Sequence, residues 1–409
     1  MNTSTPPAHV VVVGAGLAGL RTCAALRERG YQGRISVVGA EDVGPYDRPP
    51  LSKELFSRPE PAWLHEELGQ DLHDLAQEVY LGEHAVELRP GGRRHRLSLA
   101  SGAELDADAV VLACGSVPLN PWPRASTLHT AADAVGLRAR LAATGQHLLI
   151  IGAGWIGAEV AGVAAAAGGR VTVVEAAAQP LSRQLPAELG ERTRPWYAEA
   201  GVELRTGTSV ATVRSDGVEL GDGERIGADV VLAAVGVVPA TGWLTGAVPL
   251  GGRGHVLTDA NGRTEVPGVW AVGDCAWRED PLFGQVPGGH WSAALHDPDR
   301  LGAAMLGLDV PEQRPAPFIY STQLGHHLSV FGRVHGDLVI REYGELPMAQ
   351  TGPWTALVTE GPKLVGAVIA DMPRDVSAAR RLLGTGTLPD LDLAAAEDPA
   401  VRLRAAVLG

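Results

Sequence analysis

One pattern occurs twice in this chain and constrains its fold more than any other feature. Residues 9–20 read H-V-V-V-V-G-A-G-L-A-G-L, and residues 147–158 read H-L-L-I-I-G-A-G-W-I-G-A. Each is an apolar run short enough for a buried parallel strand, followed by G-x-G-x-x-G and a stretch rich in alanine and leucine. Each stretch is followed by a second apolar strand and then by an acidic residue, which is Glu41 in the first copy and Glu175 in the second. The duplicated βαβ pattern predicts two dinucleotide-binding units.

The glycines of each motif have separate physical tasks. The first permits a tight turn out of the strand, the second lets backbone N–H groups approach a pyrophosphate, and the third allows the helix to pack closely on the strand. The predicted binding residues are Gly14, Gly16, Leu17, Ala18 and Gly19 for one nucleotide, and Gly152, Gly154, Trp155, Ile156 and Gly157 for the other. Matching strands at 108–118 and 229–239 close the two halves and add Ala113, Gly115 and Gly236.

The rest of the chain completes an α/β fold with two Rossmann-like nucleotide-binding domains and a smaller C-terminal α+β domain. Short antiparallel strands and one helix are predicted after position 315, and a helical stretch is predicted from Trp63 to Leu75. The domain boundaries expected are 1–118 with 246–314 for the first nucleotide, 119–245 for the second, and 315–409 for the C-terminal domain.

Charge and cysteine content exclude several classes of function. The net charge of −13 argues against a broad nucleic-acid surface or a polybasic membrane patch, because both need clustered cations. The three cysteines, Cys23, Cys114 and Cys275, have no C-x-x-C spacing, so no metal site and no redox dithiol is expected, and packing is the preferred role. The absence of a signal-peptide pattern predicts a cytoplasmic protein. The sequence leaves the oligomeric state open between a monomer and a homodimer.

With these motifs in place, the chain resembles the FAD-dependent NADH–ferredoxin reductases that serve oxygenases and cytochromes P450. The most specific element is Y-D-R-P-P-L-S-K at 46–53, which is similar to the segment those reductases carry where thiol-dependent relatives place their redox cysteines. The resemblance implies that Arg48 and Lys53 lie against the flavin ring. It also implies that Glu159 lies near the nicotinamide and the flavin. Our own hypothesis is that Lys53 forms an ion pair with Glu159.

A second element, T-E-V-P-G-V-W-A-V-G-D-C-A at 264–276, is similar to the second FAD motif of the family. It implies that Asp274 bonds the ribityl chain and that Gly273 gives the backbone close approach. Trp291 is expected near the exposed edge of the flavin, and ordinary packing between domains stays open as the alternative. In the other half, Glu175 is expected to accept hydrogen bonds from the adenosine ribose. A carboxylate there repels a 2′-phosphate, so NADH is favoured over NADPH, although Arg183 could accommodate a phosphate.

Three stretches depart from the family pattern. Asp297 and Pro298 stand where the family helix carries glutamine and continues, and the proline is expected to end or kink that helix. The family's W-S-D-Q is Y-S-T-Q at 320–323, and Ala240 stands where asparagine is common. These changes concern the electron acceptor more than the cofactors.

The function that the resemblance implies is electron transfer from NADH through FAD to a ferredoxin-type iron–sulfur protein that supplies an oxygenase. Two alternatives stay open at this point: direct reduction of a small molecule or oxygen, and a redox-sensing flavoprotein. Because ferredoxins are usually acidic, a local arginine patch is expected, with Arg48, Arg314 and Arg333 as its candidates.

Overall fold

The computed structural model describes residues 6–142, 145–312, 314–343 and 352–408. Its strands, in chain order, are β1 (His9–Val13), β2 (Arg34–Gly39), β3 (Tyr46–Asp47), β4 (Ala62–Trp63), β5 (Glu78–Leu81), β6 (Ala85–Arg89), β7 (His95–Leu99), β8 (Glu104–Ala107), β9 (Ala109–Leu112), β10 (Ser116–Pro118), β11 (His147–Ile151), β12 (Arg170–Val174), β13 (Glu203–Arg205), β14 (Val210–Arg214), β15 (Gly217–Leu220), β16 (Arg225–Gly227), β17 (Val230–Ala233), β18 (Val237–Pro239), β19 (Val256–Thr258), β20 (Val269–Ala271), β21 (Ala276–Asp280), β22 (Gly284–Pro287), β23 (Phe318–Gln323), β24 (His326–Gly332), β25 (Asp337–Glu342), β26 (Trp354–Glu360) and β27 (Lys363–Ala370).

The α-helices of the described residues follow the same numbering. They are α1 (Leu17–Glu28), α2 (Pro50–Lys53), α3 (Leu64–Glu67), α4 (Leu72–Leu75), α5 (Ala131–Leu141), α6 (Trp155–Ala166), α7 (Ala187–Glu191), α8 (Arg194–Glu199), α9 (Trp291–Met305), α10 (Pro373–Leu383) and α11 (Leu393–Glu397). Short 3-10 helices occupy Gly242–Leu244, Gly273–Cys275 and Leu403–Ala406. Among the described residues, no helix is both long and apolar enough to cross a lipid bilayer.

The chain divides into two compact units. The first comprises the residues up to Asp47 together with Ala62–Val117 and Val238–Phe318. The second comprises Arg48–Pro61, Pro118–Val237 and the residues from Ile319 onward. The segment that carries Arg48 and Lys53 therefore groups with the second unit, although the sequence division assigned it to the first domain. The division into three domains stays a prediction.

The first unit is built on a parallel sheet of five strands in the order β20-β9-β1-β2-β5. Its central strand is buried on both faces, so Val10, Val11 and Val12 have no exposed surface. One face packs in a cluster with residues of α1 and α9, and the other packs against residues of the antiparallel β6-β7-β8 sheet. The apolar run at 9–13 is a continuous strand because both faces are covered.

The second unit contains a parallel sheet in the order β13-β12-β11-β17 and, from residue 319 on, an antiparallel sheet in the order β23-β24-β27-β26-β25. The central strand β11 is again fully buried. One apolar cluster contains residues of both sheets and of α6, including Leu148, Ala161, Leu328 and Val368.

Most predicted elements are confirmed, and the helix predicted between β4 and β5 is wrong. The second strand of each βαβ unit and the five C-terminal strands are present. The helix predicted from Trp63 to Leu75 is instead two short helices, α3 and α4, separated by Leu68–Asp71, and Trp63 itself belongs to β4. Gly69 lies in this break with a φ of +65°, a conformation that ends a helix.

Candidate functional site

The first glycine turn has the geometry that the sequence predicted. Gly14 has a φ of +120°, and a Cβ atom there would lie 2.0 Å from the carbonyl oxygen of Ala113. Only glycine fits this turn, which joins β1 to the N-terminus of α1. A Cβ on Gly16 would meet no atom within 4 Å, so the space beside the loop is open. Leu17, Ala18 and Gly19 form the first turn of α1, where backbone N–H groups and the helix dipole favour a phosphate.

The predicted carboxylate Asp274 lies at the carboxyl end of the same sheet. It follows β20 in a 3-10 turn, and the Ser116 hydroxyl donates a hydrogen bond to its Oδ2 at 3.1 Å. Gly273 has a φ of +74° and lies close enough to α1 that its Cβ would be 2.9 Å from the Cβ of Ala18. Asp274 and the first glycine turn therefore meet at one edge of the sheet, where α/β folds bind ligands. Ser116 was not anticipated from the sequence.

Two further candidates of the first unit are held by neighbouring side chains. Glu41 follows β2, and its Oε2 accepts a hydrogen bond from the Tyr46 hydroxyl at 2.6 Å. Trp291 is the first residue of α9 and is 44% exposed, and its indole Nε1 donates to Oδ1 of Asp47 at 2.7 Å. Both side chains are oriented without losing access to solvent. Ala113 and Gly115 flank the end of β9 beside the Gly14 turn.

The second glycine turn repeats the first. A Cβ on Gly152, whose φ is +106°, would lie 2.5 Å from the carbonyl oxygen of Ala234. Glu175, at the end of β12, accepts the backbone N–H of Ala153 through one carboxylate oxygen and that of Ala177 through the other, both at 2.8 Å. This carboxylate therefore fixes the glycine loop and stands beside it. Gly154, Trp155, Ile156 and Gly157 continue into the first turn of α6, as predicted.

A buried carboxylate in the second unit is held by three neighbouring side chains. Glu159 is 3% exposed, and its Oε1 lies 3.4 Å from Nζ of Lys53, so the ion pair expected from the sequence is present. Two hydroxyls also donate to it, Ser52 Oγ to Oε2 and Ser321 Oγ to Oε1, each at 2.5 Å. The charge is buried but is compensated by one ammonium and two hydroxyl groups, which is the condition under which a carboxylate tolerates burial.

The sequence did not single out the two serines. Ser52 lies inside the 46–53 motif directly before Lys53, and Ser321 lies inside Y-S-T-Q, so each belonged to a stretch already marked for other residues. Lys53 is placed further by the carbonyl oxygen of Tyr320 at 3.2 Å, and its Nζ lies 5.6 Å from the centroid of the Tyr320 ring. The altered Y-S-T-Q stretch therefore positions Lys53 and Glu159.

The remaining basic candidates differ in their surroundings. Arg48 is exposed and donates to the carbonyl oxygen of His129. Arg183 donates to the carbonyl oxygen of Val235 at 3.1 Å, next to Gly236, whose φ is +109°. Arg333 pairs with Glu360 at the surface.

The expectation for Arg314 is wrong. Its side chain is buried against Oδ2 of Asp280 at 3.0 Å, so it belongs to an internal ion-pair cluster and contributes little to a surface patch. Arg278 joins the same cluster at 2.6 Å from Asp280 and also lies 3.0 Å from Asp297. The unusual Asp297 therefore neutralises part of a buried concentration of arginine charge.

Of the two effects expected from Pro298, an end or a kink of the helix, the end does not occur. Helix α9 runs from Trp291 to Met305 with the buried proline inside it. Proline removes one backbone hydrogen bond of the helix, but α9 packs closely on α1, where a Cβ on Gly302 would touch Ala25 at 3.4 Å. Packing against α1 thus outweighs the local preference of the sequence.

The three thiols of the described residues are fully or largely enclosed by protein, and two of them have a raised pKa. Complete burial raises the pKa of Cys23 to about 12. The neighbouring Cys275 thiol and burial together raise the pKa of Cys114. Cys275 donates to the carbonyl oxygen of Leu112 at 3.2 Å, in keeping with a packed small residue.

Comparison with known proteins identifies the class to which this geometry belongs. The family model described as pyridine nucleotide-disulphide oxidoreductase matches residues 8–296, which include both glycine turns and the Asp274 motif. The chain belongs to this family. The predicted fold class and the predicted type of enzyme, an FAD-dependent oxidoreductase, are thereby confirmed. The open space beside the Gly14 turn, and Asp274 at the same edge, fit the FAD that such oxidoreductases use.

Three relatives within this oxidoreductase family are similar over nearly their whole length. The ferredoxin–NAD(+) reductase component of the anthranilate 1,2-dioxygenase system of Burkholderia cepacia is 32% identical, covering 96% of this chain and 98% of that protein. The ferredoxin reductase for the CYP199A2 system of Rhodopseudomonas palustris is 28% identical with a TM-score of 0.86, covering 98% and 100%. Putidaredoxin reductase, in its covalent complex with putidaredoxin, is 27% identical with a TM-score of 0.82, covering 98% of each chain.

Proposed function

We propose that this protein is a flavoprotein reductase that passes electrons from NADH through FAD to a ferredoxin-type iron–sulfur protein supplying an oxygenase. The observation that carries the proposal is the pair of glycine turns, each closed to any side chain at its first glycine and each followed by a helix N-terminus. Relatives matching more than nine-tenths of the chain are reductase components of ferredoxin-dependent systems. When bound, FAD supplies the combination of two-electron and one-electron chemistry that no side chain provides.

The chain's own residues bind and orient the two nucleotides. In the first unit, the Gly14 turn, Glu41 and Asp274 would hold FAD, with Trp291 beside them. In the second, the Gly152 turn and Glu175 would hold NADH. A carboxylate at position 175 repels a 2′-phosphate, which supports NADH over NADPH. Arg183 is engaged with the carbonyl oxygen of Val235, and this lessens its value as a phosphate ligand.

Lys53 and Glu159 are the residues proposed to act at the flavin, by resemblance to the family. Glu159 is held by Ser52 and Ser321, and it in turn fixes the direction of the Lys53 ammonium. The resulting charge is preorganised, because its partners are already in place before any substrate binds. An ammonium held in this way would stabilise negative charge that develops on the ring during reduction.

Replacing Lys53 with methionine should slow flavin reduction by NADH about tenfold or more, since a tenfold change in rate corresponds to ~1.4 kcal/mol, the scale of one charge-assisted hydrogen bond. The apparent Kd for NADH should change little. Stopped-flow absorbance at the flavin band measures both. The matched control is Lys363→Met, because Lys363 is the chain's only other lysine and pairs with Asp390 at the surface. An unchanged reduction rate in Lys53→Met would remove Lys53 from the proposed mechanism.

The partner is tested by electron transfer to cytochrome c. The purified protein should be yellow, and its NADH-driven reduction of cytochrome c should depend on an added ferredoxin and fall as ionic strength rises. Rapid oxygen consumption without ferredoxin would instead support direct reduction of oxygen. A reduced form that survives for many minutes in air would support a redox sensor. A preparation that takes up no FAD would refute the proposal itself.

The location proposed for this reductase is the cytoplasm, where NADH is available as a reductant. Fractionation of the source cells, followed by an assay for NADH-dependent flavin reduction, would test this directly.

A further inference from the structure

We propose that His290 is an additional FAD-binding residue, whose Nδ1 forms a hydrogen bond with the cofactor on the side held by Asp274. The inference rests on the proposed function, since it assumes that FAD is the ligand of the first unit. His290 immediately precedes α9, and its backbone carbonyl accepts the N–H of Ala293 at 3.0 Å and of Ala294 at 3.2 Å. The backbone at this position is therefore fixed by the helix, which restricts where the ring can go.

The segment before His290 lies directly on the second FAD motif. The N–H of Gly288 donates to the carbonyl oxygen of Ala276 at 2.9 Å. A Cβ on Gly288 would lie 2.3 Å from the carbonyl oxygen of Gly273 and 2.6 Å from the Cα of Asp274. Such close backbone contact, possible only with glycine, brings His290 to the same edge of the sheet as Asp274.

The imidazole of His290 carries a polar atom for which the protein supplies no partner. Its Nδ1 is buried and has no hydrogen-bond partner among the described residues, while the side chain as a whole keeps partial exposure. A buried polar atom without a partner is rare in native proteins and calls for a ligand or water to complete it. Partial exposure of the residue as a whole is expected of a residue that borders an open binding site.

The charge state of the ring suits this role. Burial lowers the pKa of His290, with a smaller lowering from Arg278 and an opposing effect from Asp274. The imidazole is therefore neutral at neutral pH, and Nδ1 can either accept or donate one hydrogen bond according to its tautomer. A hydroxyl, carbonyl or ring nitrogen of FAD near the ribityl chain could meet either requirement.

The test compares variants of the full-length protein with and without FAD. His290→Ala should raise the Kd for FAD about tenfold, the ~1.4 kcal/mol expected for one hydrogen bond. His290→Asn should restore most of the affinity, because the asparagine amide occupies the place of Nδ1. His290→Gln should restore little, because its amide lies near the place of Nε2. His296→Ala is the control, since His296 is an exposed histidine in the helix α9 that His290 precedes.

Thermal unfolding separates cofactor binding from a structural role. Without FAD, His290→Ala should unfold at the same temperature as the wild type or a higher one, because the variant lacks the unpartnered nitrogen. The stabilisation on adding FAD should be smaller than in the wild type. Equal FAD affinity and an equal FAD-induced stabilisation in His290→Ala would overturn the inference, as would rescue by glutamine alone.

These outcomes remain distinct from failure of the proposed function. If the wild-type protein takes up no FAD, the function itself is refuted. If the wild type binds FAD and the variants bind it equally well, only the proposal that His290 binds FAD is refuted. Should His290→Ala fail to fold, the comparison of the asparagine and glutamine variants still decides the matter.

Discussion

Replacing Gly152 with alanine should weaken NADH binding by about 100-fold while leaving the protein yellow. The added Cβ would lie 2.5 Å from the carbonyl oxygen of Ala234, at a φ of +106° that alanine avoids. Strain of this kind amounts to about 1–3 kcal/mol, and ~2.8 kcal/mol corresponds to a 100-fold change in Kd. The turn can relieve the strain only by moving the loop that approaches the pyrophosphate. FAD content should not change, because Gly14 and Asp274, the residues proposed to bind FAD, belong to the first unit.

Stopped-flow reduction at increasing NADH concentration measures this effect, and the flavin absorbance of the purified variant measures FAD content. Gly136→Ala is the matched control, because Gly136 lies in helix α5 of the same unit and an added Cβ there would contact nothing within 4 Å. That change should leave NADH binding intact and slightly stabilise the helix. Normal saturation by NADH in Gly152→Ala would show that the second glycine turn is not the nucleotide site.

Replacing Arg341 with methionine should destabilise the C-terminal part of the chain by about 3–5 kcal/mol, the range for breaking a buried ion pair. Arg341 is 0% exposed and lies 3.7 Å from Asp375, which is itself buried. Its guanidinium also donates to the carbonyl oxygens of Ala396 and Val401. The substitution leaves a buried carboxylate with less compensation and two carbonyl groups without their donor.

Hydrogen exchange of the C-terminal strands and urea unfolding followed by tryptophan fluorescence both measure this loss. Arg333→Met is the control, because Arg333 pairs with Glu360 at the surface, where an ion pair contributes at most about 1 kcal/mol. Equal unfolding midpoints for Arg341→Met and the wild type would mean that the internal network contributes little to stability.

Neighbouring residues in the sequence were enough to predict both glycine turns and the carboxylate at the sheet edge. The glycine spacing after an apolar run predicts a turn that admits no side chain, and Gly14 and Gly152 adopt it. The sequence G-D after a strand also predicts a carboxylate at the sheet edge, and Asp274 lies there. These predictions depend on residues adjacent in the chain, so no knowledge of distant contacts is needed.

Two departures from what the sequence led us to expect share a cause. Proline is a poor residue within a helix, yet α9 continues through Pro298 because it packs against α1 over its length. Arginine is usually exposed, yet Arg314 is buried because Asp280 and Asp297 lie in the same cluster with Arg278. In both cases, contacts with residues far along the chain outweigh the preference of the residue type.

The sequence alone determined that two nucleotides are bound, since backbone geometry at a glycine turn follows from a few consecutive residues. Only the tertiary structure decided which hydroxyl groups donate to Glu159, because Ser52 and Ser321 are 107 and 162 positions away from it. The same holds for His290, whose unpartnered nitrogen becomes visible only when the chain brings it beside Asp274. Steric constraints at a turn depend on residues that are adjacent in the chain, whereas the pairing of buried polar groups depends on how distant segments fold together.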